Sequence, residues 1–112
     1  MVKLSKIISH CTGFEWDEGN NTKNWDKHDV SRLECEQIFF NKPLIIKYDK
    51  HNSIVEARYY VLGRTDMDRL LFAVFTIRDD KIRIISARDM TGAEMERYRS
   101  EEHTSELQSP NT

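Results

Sequence analysis

Residues 70–88 constrain this chain more than any other stretch. Leu70-Leu71-Phe72-Ala73-Val74-Phe75-Thr76-Ile77 predicts a buried strand, Asp79-Asp80 a tight turn, and Lys81-Ile82-Arg83-Ile84-Ile85-Ser86-Ala87-Arg88 the return strand. Both strands are apolar on both faces, which suits the centre of a sheet. Arg83 stands among isoleucines and Arg88 follows close behind. A guanidinium keeps its charge in a protein, so burying one without an anion is costly. Arginines so placed call for a carboxylate or a phosphate, and which of the two it is decides what the chain does. In a regular strand Arg83 and Arg88 have opposite parity, so one faces away unless a bulge or the strand end reorients it.

The rest of the chain has a readable order. Phe14-Glu15-Trp16 predicts a short first strand. Asn21, Trp25 and His28 fall at i, i+4 and i+7, one narrow face of a helix over Asp17 to Lys27. Ser31-Arg32-Leu33-Glu34 matches a capping box, with Val30 and Cys35 at the positions of a hydrophobic staple. That second helix ends near Asn41, with Pro43 just beyond. Leu44 to Tyr48 and Glu56 to Gly63 predict two strands, the latter with Glu56, Arg58 and Tyr60 on one face and Tyr59 and Val61 on the other. Thr91-Gly92-Ala93-Glu94 repeats the capping box, with Met90 and Met95 as its staple, and starts a third helix. Consecutive strands with short turns favour a mostly antiparallel four-stranded sheet, hence an α+β fold.

Composition narrows the function classes. At 112 residues the chain predicts one domain with a small core. No apolar run approaches the ~20 residues that span a bilayer, and the N-terminus lacks the apolar core of a signal peptide. Cys11 and Cys35 fit reduced, buried thiols of a cytoplasmic protein. No C-x-x-C or H-E-x-x-H spacing points to zinc, and no cofactor is implied. Arg99 to Ser109 is the in-frame translation of a common short-read sequencing adapter, so residues 99–112 are read as an artefactual, disordered tail on a single domain of residues 1–98. The tail holds one of the 17 basic and three of the 19 acidic residues, which leaves 16 of each and a net charge of zero. Attraction to nucleic acid must therefore come from a local patch.

Phe14-Glu15-Trp16-Asp17-Glu18-Gly19-Asn20, Lys23-Asn24 and Lys27-His28 resemble the opening motif of the BrnT toxins. The resemblance continues through Phe39-Phe40-Asn41, Asp49 with His51 and Ser53, Glu56-Ala57-Arg58-Tyr59, Leu62-Gly63 and Arg69. It runs on through Phe75-Thr76-Ile77-Arg78 and Ile84-Ile85-Ser86-Ala87-Arg88, and covers Lys6 to Tyr98. The chain departs from the common pattern at Asp29, where glycine often follows Lys-His. The resemblance implies a RelE-like fold and a ribonuclease toxin of a type II toxin–antitoxin pair. It further implies growth arrest by RNA cleavage and neutralisation by a BrnA-type antitoxin with a ribbon-helix-helix domain. Operator DNA would be met only through that complex, and no membrane is involved.

Metal-free RNA cleavage needs a base for the 2′-hydroxyl, cations for the charge on the phosphorane-like transition state, and an acid for the leaving 5′-oxygen. Arg58, Arg83 and Arg88 are the candidates for the cations, because a guanidinium fork binds phosphate oxygens bidentately. The competing reading is an ion pair, with Glu56 or Glu94 as partner. His51 and Glu56 are candidates for proton transfer, and Glu56 could equally orient Arg58. Trp16, Lys27 and His28 are candidate RNA contacts, the tryptophan by stacking. The rival to a ribonuclease is a non-catalytic or degenerate binding module whose arginines pair with an acidic partner.

Overall fold

The computed structural model describes residues 8, 11–16, 29–51 and 56–108, with side chains to residue 101. Its elements in chain order are β1 (Gly13–Glu15), α1 (Arg32–Gln37), β2 (Ile45–Tyr48), β3 (Tyr59–Arg64), β4 (Leu70–Arg78), β5 (Lys81–Asp89) and α2 (Gly92–Gln108). The helix expected over Asp17 to Lys27 lies outside the described residues, as do Lys27 and His28.

The five strands form one sheet in the order β1-β5-β4-β3-β2. Pairing is antiparallel from β2 through β5, whereas β1 lies parallel to β5. The expected RelE-like, four-stranded, mostly antiparallel sheet is thus corrected to a five-stranded mixed one. A three-residue strand paired with a partner far along the chain leaves no alternation to read, so its place in the sheet is invisible locally. The strand also lies one residue earlier than expected, and Trp16 falls just outside it.

The β4–β5 hairpin closes as its composition predicts. Arg78 pairs with Lys81, and Asp79 and Asp80 both take left-handed backbone conformations, with φ of 53° and 61°. Two successive left-handed residues make the primed turn whose twist matches the strands, and aspartate tolerates that region. Between Val74 and Phe75 of β4 the register with β5 slips. Val74 faces Ser86 and Phe75 faces Ile84, so Ile85 is the extra residue of a β-bulge. Burial follows the slip: Ile82 and Ile84 are buried before it, and Ala87 after it.

One face of the sheet carries Val61, Leu71, Ala73, Phe75, Ile82, Ile84 and Ala87 against Val30, Cys35, Ile38 and Phe39 from α1 and its flanks. Phe39 meets Phe75 and Phe14 edge to face, at centroid distances of 5.3 and 5.5 Å. Each such side chain stabilises the fold by roughly 1.5–3 kcal/mol through burial. The capping box at α1 is complete: Glu34 N–H donates to Ser31 Oγ at 3.1 Å, and Ser31 N–H to Glu34 Oε1 at 3.0 Å. The helix ends at Gln37 rather than near Asn41, because the chain tightens into three-residue turns there. Phe39 N–H donates to the Glu36 carbonyl, and Phe40 N–H to that of Gln37.

The opposite face is covered at one end by α2. Tyr98, Met90 and Met95 pack with Leu62, Phe72, Leu70 and Ile45. The second capping box is also made, with Glu94 N–H donating to Thr91 Oγ1 and Thr91 N–H to Glu94 Oε1. Tyr98 donates its hydroxyl proton to the Pro43 carbonyl at 2.6 Å. The helix then continues through Arg99 to Gln108, into the segment set apart as a tail.

Candidate functional site

The bulge at Ile85 resolves the parity of the two hairpin arginines. Arg83 pairs with Thr76 and Arg88 with Phe72, and these β4 residues share a face. Arg83 and Arg88 therefore lie on the same side of the sheet, the side that α2 partly covers. Without the extra residue they would point apart.

The segment before β3 extends this face. Glu56 forms an ion pair with Arg78 at 3.1 Å. Thr76, only 2% exposed, donates its hydroxyl proton to the Ala57 carbonyl. On the other side Asp49 N–H donates to the Arg58 carbonyl at 2.8 Å, one step beyond the Tyr48–Tyr59 pair. Residues 56–58 thus continue the register of β3, and Arg58 falls opposite Thr76 as Tyr59 falls opposite Phe75. The row across the sheet reads Arg58, Thr76, Arg83, Glu15, the last pair from the parallel register of β1. Arg58 and Arg83 stand two strand spacings apart, ~10 Å between backbones.

The rows around it share the polarity. Glu56, Arg78 and Lys81 lie on one side, and Lys47, Tyr60 and Val74 on the other. Away from α2 this face therefore carries Lys47, Arg58, Arg78, Lys81 and Arg83 against Glu15 and Glu56. Among the described residues it is a local basic surplus on a domain with no net positive charge.

Arg88 has a different environment. Its two terminal nitrogens donate to the two carboxylate oxygens of Glu94 at 2.8 and 3.0 Å, and its guanidinium lies 4.1 Å above the Phe72 ring. The Arg88 fork holds the Glu94 carboxyl below the usual carboxylate range, and the carboxylate in turn raises the arginine. Of the two anions the sequence left open for Arg88, a carboxylate fills this position.

The remaining candidates are dispersed. Glu56 engages Arg78. His51 is exposed in the turn after β2, two residues beyond the Asp49 amide that bonds to Arg58. Trp16 lies on the α1 side of the sheet: its indole N–H donates to Glu36 at 2.8 Å and Arg32 sits 5.2 Å over its ring. The structure thus gathers Arg58, Arg83 and Glu56 on one face, with Arg88 at its α2 end, and puts Trp16 on the other. No cluster among the described residues has the His, Cys, Asp and Glu groups to hold a metal ion. Among them, no helix is long and apolar enough to cross a membrane.

A family profile described as "Ribonuclease toxin, BrnT, of type II toxin-antitoxin system" matches residues 16–94. The chain belongs to the BrnT family. Its fold is similar to that of the Brucella abortus ribonuclease toxin BrnT, known from a 1.1 Å crystal structure. The two share 18% identity and a TM-score of 0.54, over 70% of this chain and 96% of that one. No curated protein matches the sequence. The BrnT match starts at Trp16 and ends at Glu94, so it spans the arginine row from Arg58 to Arg83 and the anchor at Arg88.

Arg69 is a residue that the sequence reading places in the BrnT-like pattern without a role. Its guanidinium bridges Asp89 at 2.8 Å and Glu34 at 3.1 Å, and also donates to the Asp29 carbonyl. It ties the start of α1 to the end of β5. These two carboxylates raise its pKa further, and Arg69 together with Ser31 keeps Glu34 below the usual carboxylate range despite its burial. Acidic residues far apart in sequence are its partners, which no local pattern announces.

Proposed function

We propose that this chain is a metal-independent endoribonuclease toxin acting in the cytoplasm, and that a BrnA-like ribbon-helix-helix antitoxin neutralises it. The observation that carries this reading is the shared row of Arg58 and Arg83 within a local basic surplus. Family membership supplies the reaction class. RNA is the substrate, and operator DNA is met only through the antitoxin complex.

In this reading Arg58 and Arg83 take the non-bridging oxygens of the scissile phosphate. Their charge persists at any working pH, and their donors are set before the phosphorane-like charge develops. Thr76 holds the Arg58 segment against β4 through the Ala57 carbonyl. Arg88 serves the site indirectly, by fastening the start of α2 across the far end of the face. Glu56 orients Arg78. His51 is the proton donor to the leaving 5′-oxygen, with the exposure that proton exchange with solvent requires. Lys27 and His28 belong to the RNA-contacting set, and Trp16, held by Glu36 and Arg32 on the other side of the sheet, does not. The functional domain is residues 1–98, and Tyr98 is the last buried residue before the exposed positions 99–101.

A degenerate, binding-only module is the second reading, favoured by the Arg88 fork being filled by Glu94. The experiment is cleavage of mixed-sequence RNA, free and ribosome-bound, by the purified chain in EDTA. Cleavage is expected. Intact RNA in both settings would overturn the nuclease reading in favour of the binding-only one.

A further inference from the structure

The arginine row ends in a carboxylate that the reaction described so far does not use. β1 pairs parallel with β5, and the register sets Glu15 beside Arg83. Neighbouring strands lie ~4.8 Å apart, so Glu15 stands next to Arg83 and two spacings, ~10 Å between backbones, from the phosphate site over Thr76, a gap for the Glu15 side chain and the ribose 2′-hydroxyl to span. Glu15 is half-buried and so partly shielded from water. Its position differs from those of the other acids on this face. Glu56 is tied to Arg78, and Glu94 is tied to Arg88 and to the Thr91 amide. β1 brings the acid to the side of Arg83 away from Arg58, which leaves the phosphate site over Thr76 flanked by two cations and, at its outer edge, one carboxylate.

We propose that Glu15 is the general base of the cleavage reaction. The inference rests on the ribonuclease reading above. The Glu15 carboxylate takes the proton of the 2′-hydroxyl as the 2′-oxygen forms its bond to phosphorus. The bond from phosphorus to the 5′-oxygen breaks, and that oxygen takes a proton from the imidazolium of His51. The products are a 2′,3′-cyclic phosphate and a 5′-hydroxyl end. Glu15 leaves the step protonated and His51 neutral, and both return to their starting forms through solvent. The adjacent Arg83 binds the phosphate, and Glu15 stands beside it on the next strand.

The test compares the full chain with Glu15→Gln and Glu15→Asp. Cleavage of mixed-sequence RNA is followed in EDTA across pH, and binding is measured with the 2′-O-methyl counterpart, which lacks the nucleophile. Glu15→Gln is expected to lose about 100-fold or more in kcat. It should bind the 2′-O-methyl RNA within about twofold of wild type, and lack the acid limb of the wild-type rate profile. Full activity in Glu15→Gln would overturn the proposal. So would a slow variant that keeps the acid limb, because Glu15 would then only orient Arg83. If Glu15→Gln loses its fold by circular dichroism, Glu15→Asp decides: a displaced acid limb supports the base and an unmoved one overturns it. A wild-type chain that leaves RNA intact would overturn the ribonuclease reading together with this one, whereas an active wild type with an equally active Glu15→Gln overturns the role of Glu15 alone.

Discussion

The pair Arg88–Glu94 gives the sharpest stability prediction. It joins the end of β5 to the first turn of α2, with two charge-assisted hydrogen bonds at 2.8 and 3.0 Å. The side chains are 34% and 23% exposed, so solvent screens part of the interaction. Fully exposed pairs contribute about 0.2–1 kcal/mol, and bidentate geometry with partial burial places this one near the top, at about 1 kcal/mol. The Arg88 guanidinium over Phe72 adds roughly 0.5–1 kcal/mol. Arg88→Ala should therefore destabilise the chain by about 2 kcal/mol. The partner variant is Glu94→Gln, because glutamine can still accept the Thr91 amide of the capping box whereas alanine cannot. Urea unfolding of wild type, both single variants and the double variant closes a cycle that isolates the pair, with an expected coupling of about 1 kcal/mol at pH 7. Because Arg88 lowers the folded-state pKa of Glu94, this stability is present above the unfolded carboxylate value of about 4.3 and is lost as pH falls through the folded value. A coupling within ~0.3 kcal/mol of zero at pH 7, or one that grows on acidification, would refute the reasoning.

Three further outcomes follow from packing. A Cβ at Gly63 would stand 2.9 Å from Ile38 Cβ and 3.0 Å from the Ile38 carbonyl oxygen, atoms fixed by the end of α1, so Gly63→Ala should lower stability by about 1–3 kcal/mol in chemical denaturation. Burial pushes the Cys35 thiol up to about 12, so it should resist a disulfide reagent at pH 8 in the native state and react only on unfolding; rapid native labelling would contradict its place in the core. Tyr98→Phe removes the hydroxyl that bonds to the Pro43 carbonyl and should cost about 1 kcal/mol in the same denaturation assay.

The local features were legible and the long-range ones were not. Ser31 with Glu34, and Thr91 with Glu94, are capping boxes in both sequence and structure, because every group involved lies within three residues. The Asp79-Asp80 turn follows in the same way from two aspartates between apolar runs. The alternation of Glu56 and Arg58 also survives, although the hydrogen-bonded strand starts only at Tyr59. What escaped was set by distant partners. β1 joins the sheet through the parallel edge of β5, a pairing its three residues cannot signal. The bulge did leave a trace: two consecutive isoleucines, Ile84 and Ile85, interrupt the alternation that starts at Ile82. Read as a slip rather than as a two-faced strand, that doublet puts Arg83 and Arg88 on one side. Nothing local marks Glu15 as a neighbour of Arg83, which lies 68 positions away in the chain, and only the sheet brings them together.

The measurement that bears most directly on the central claim is RNA cleavage by Arg83→Ala beside wild type, in EDTA, with circular dichroism confirming matched folds. If Arg83 holds the scissile phosphate, cleavage should fall by about 100-fold or more, the loss typical of removing one preorganised donor to transition-state charge. Undiminished cleavage by a folded Arg83→Ala would contradict the account.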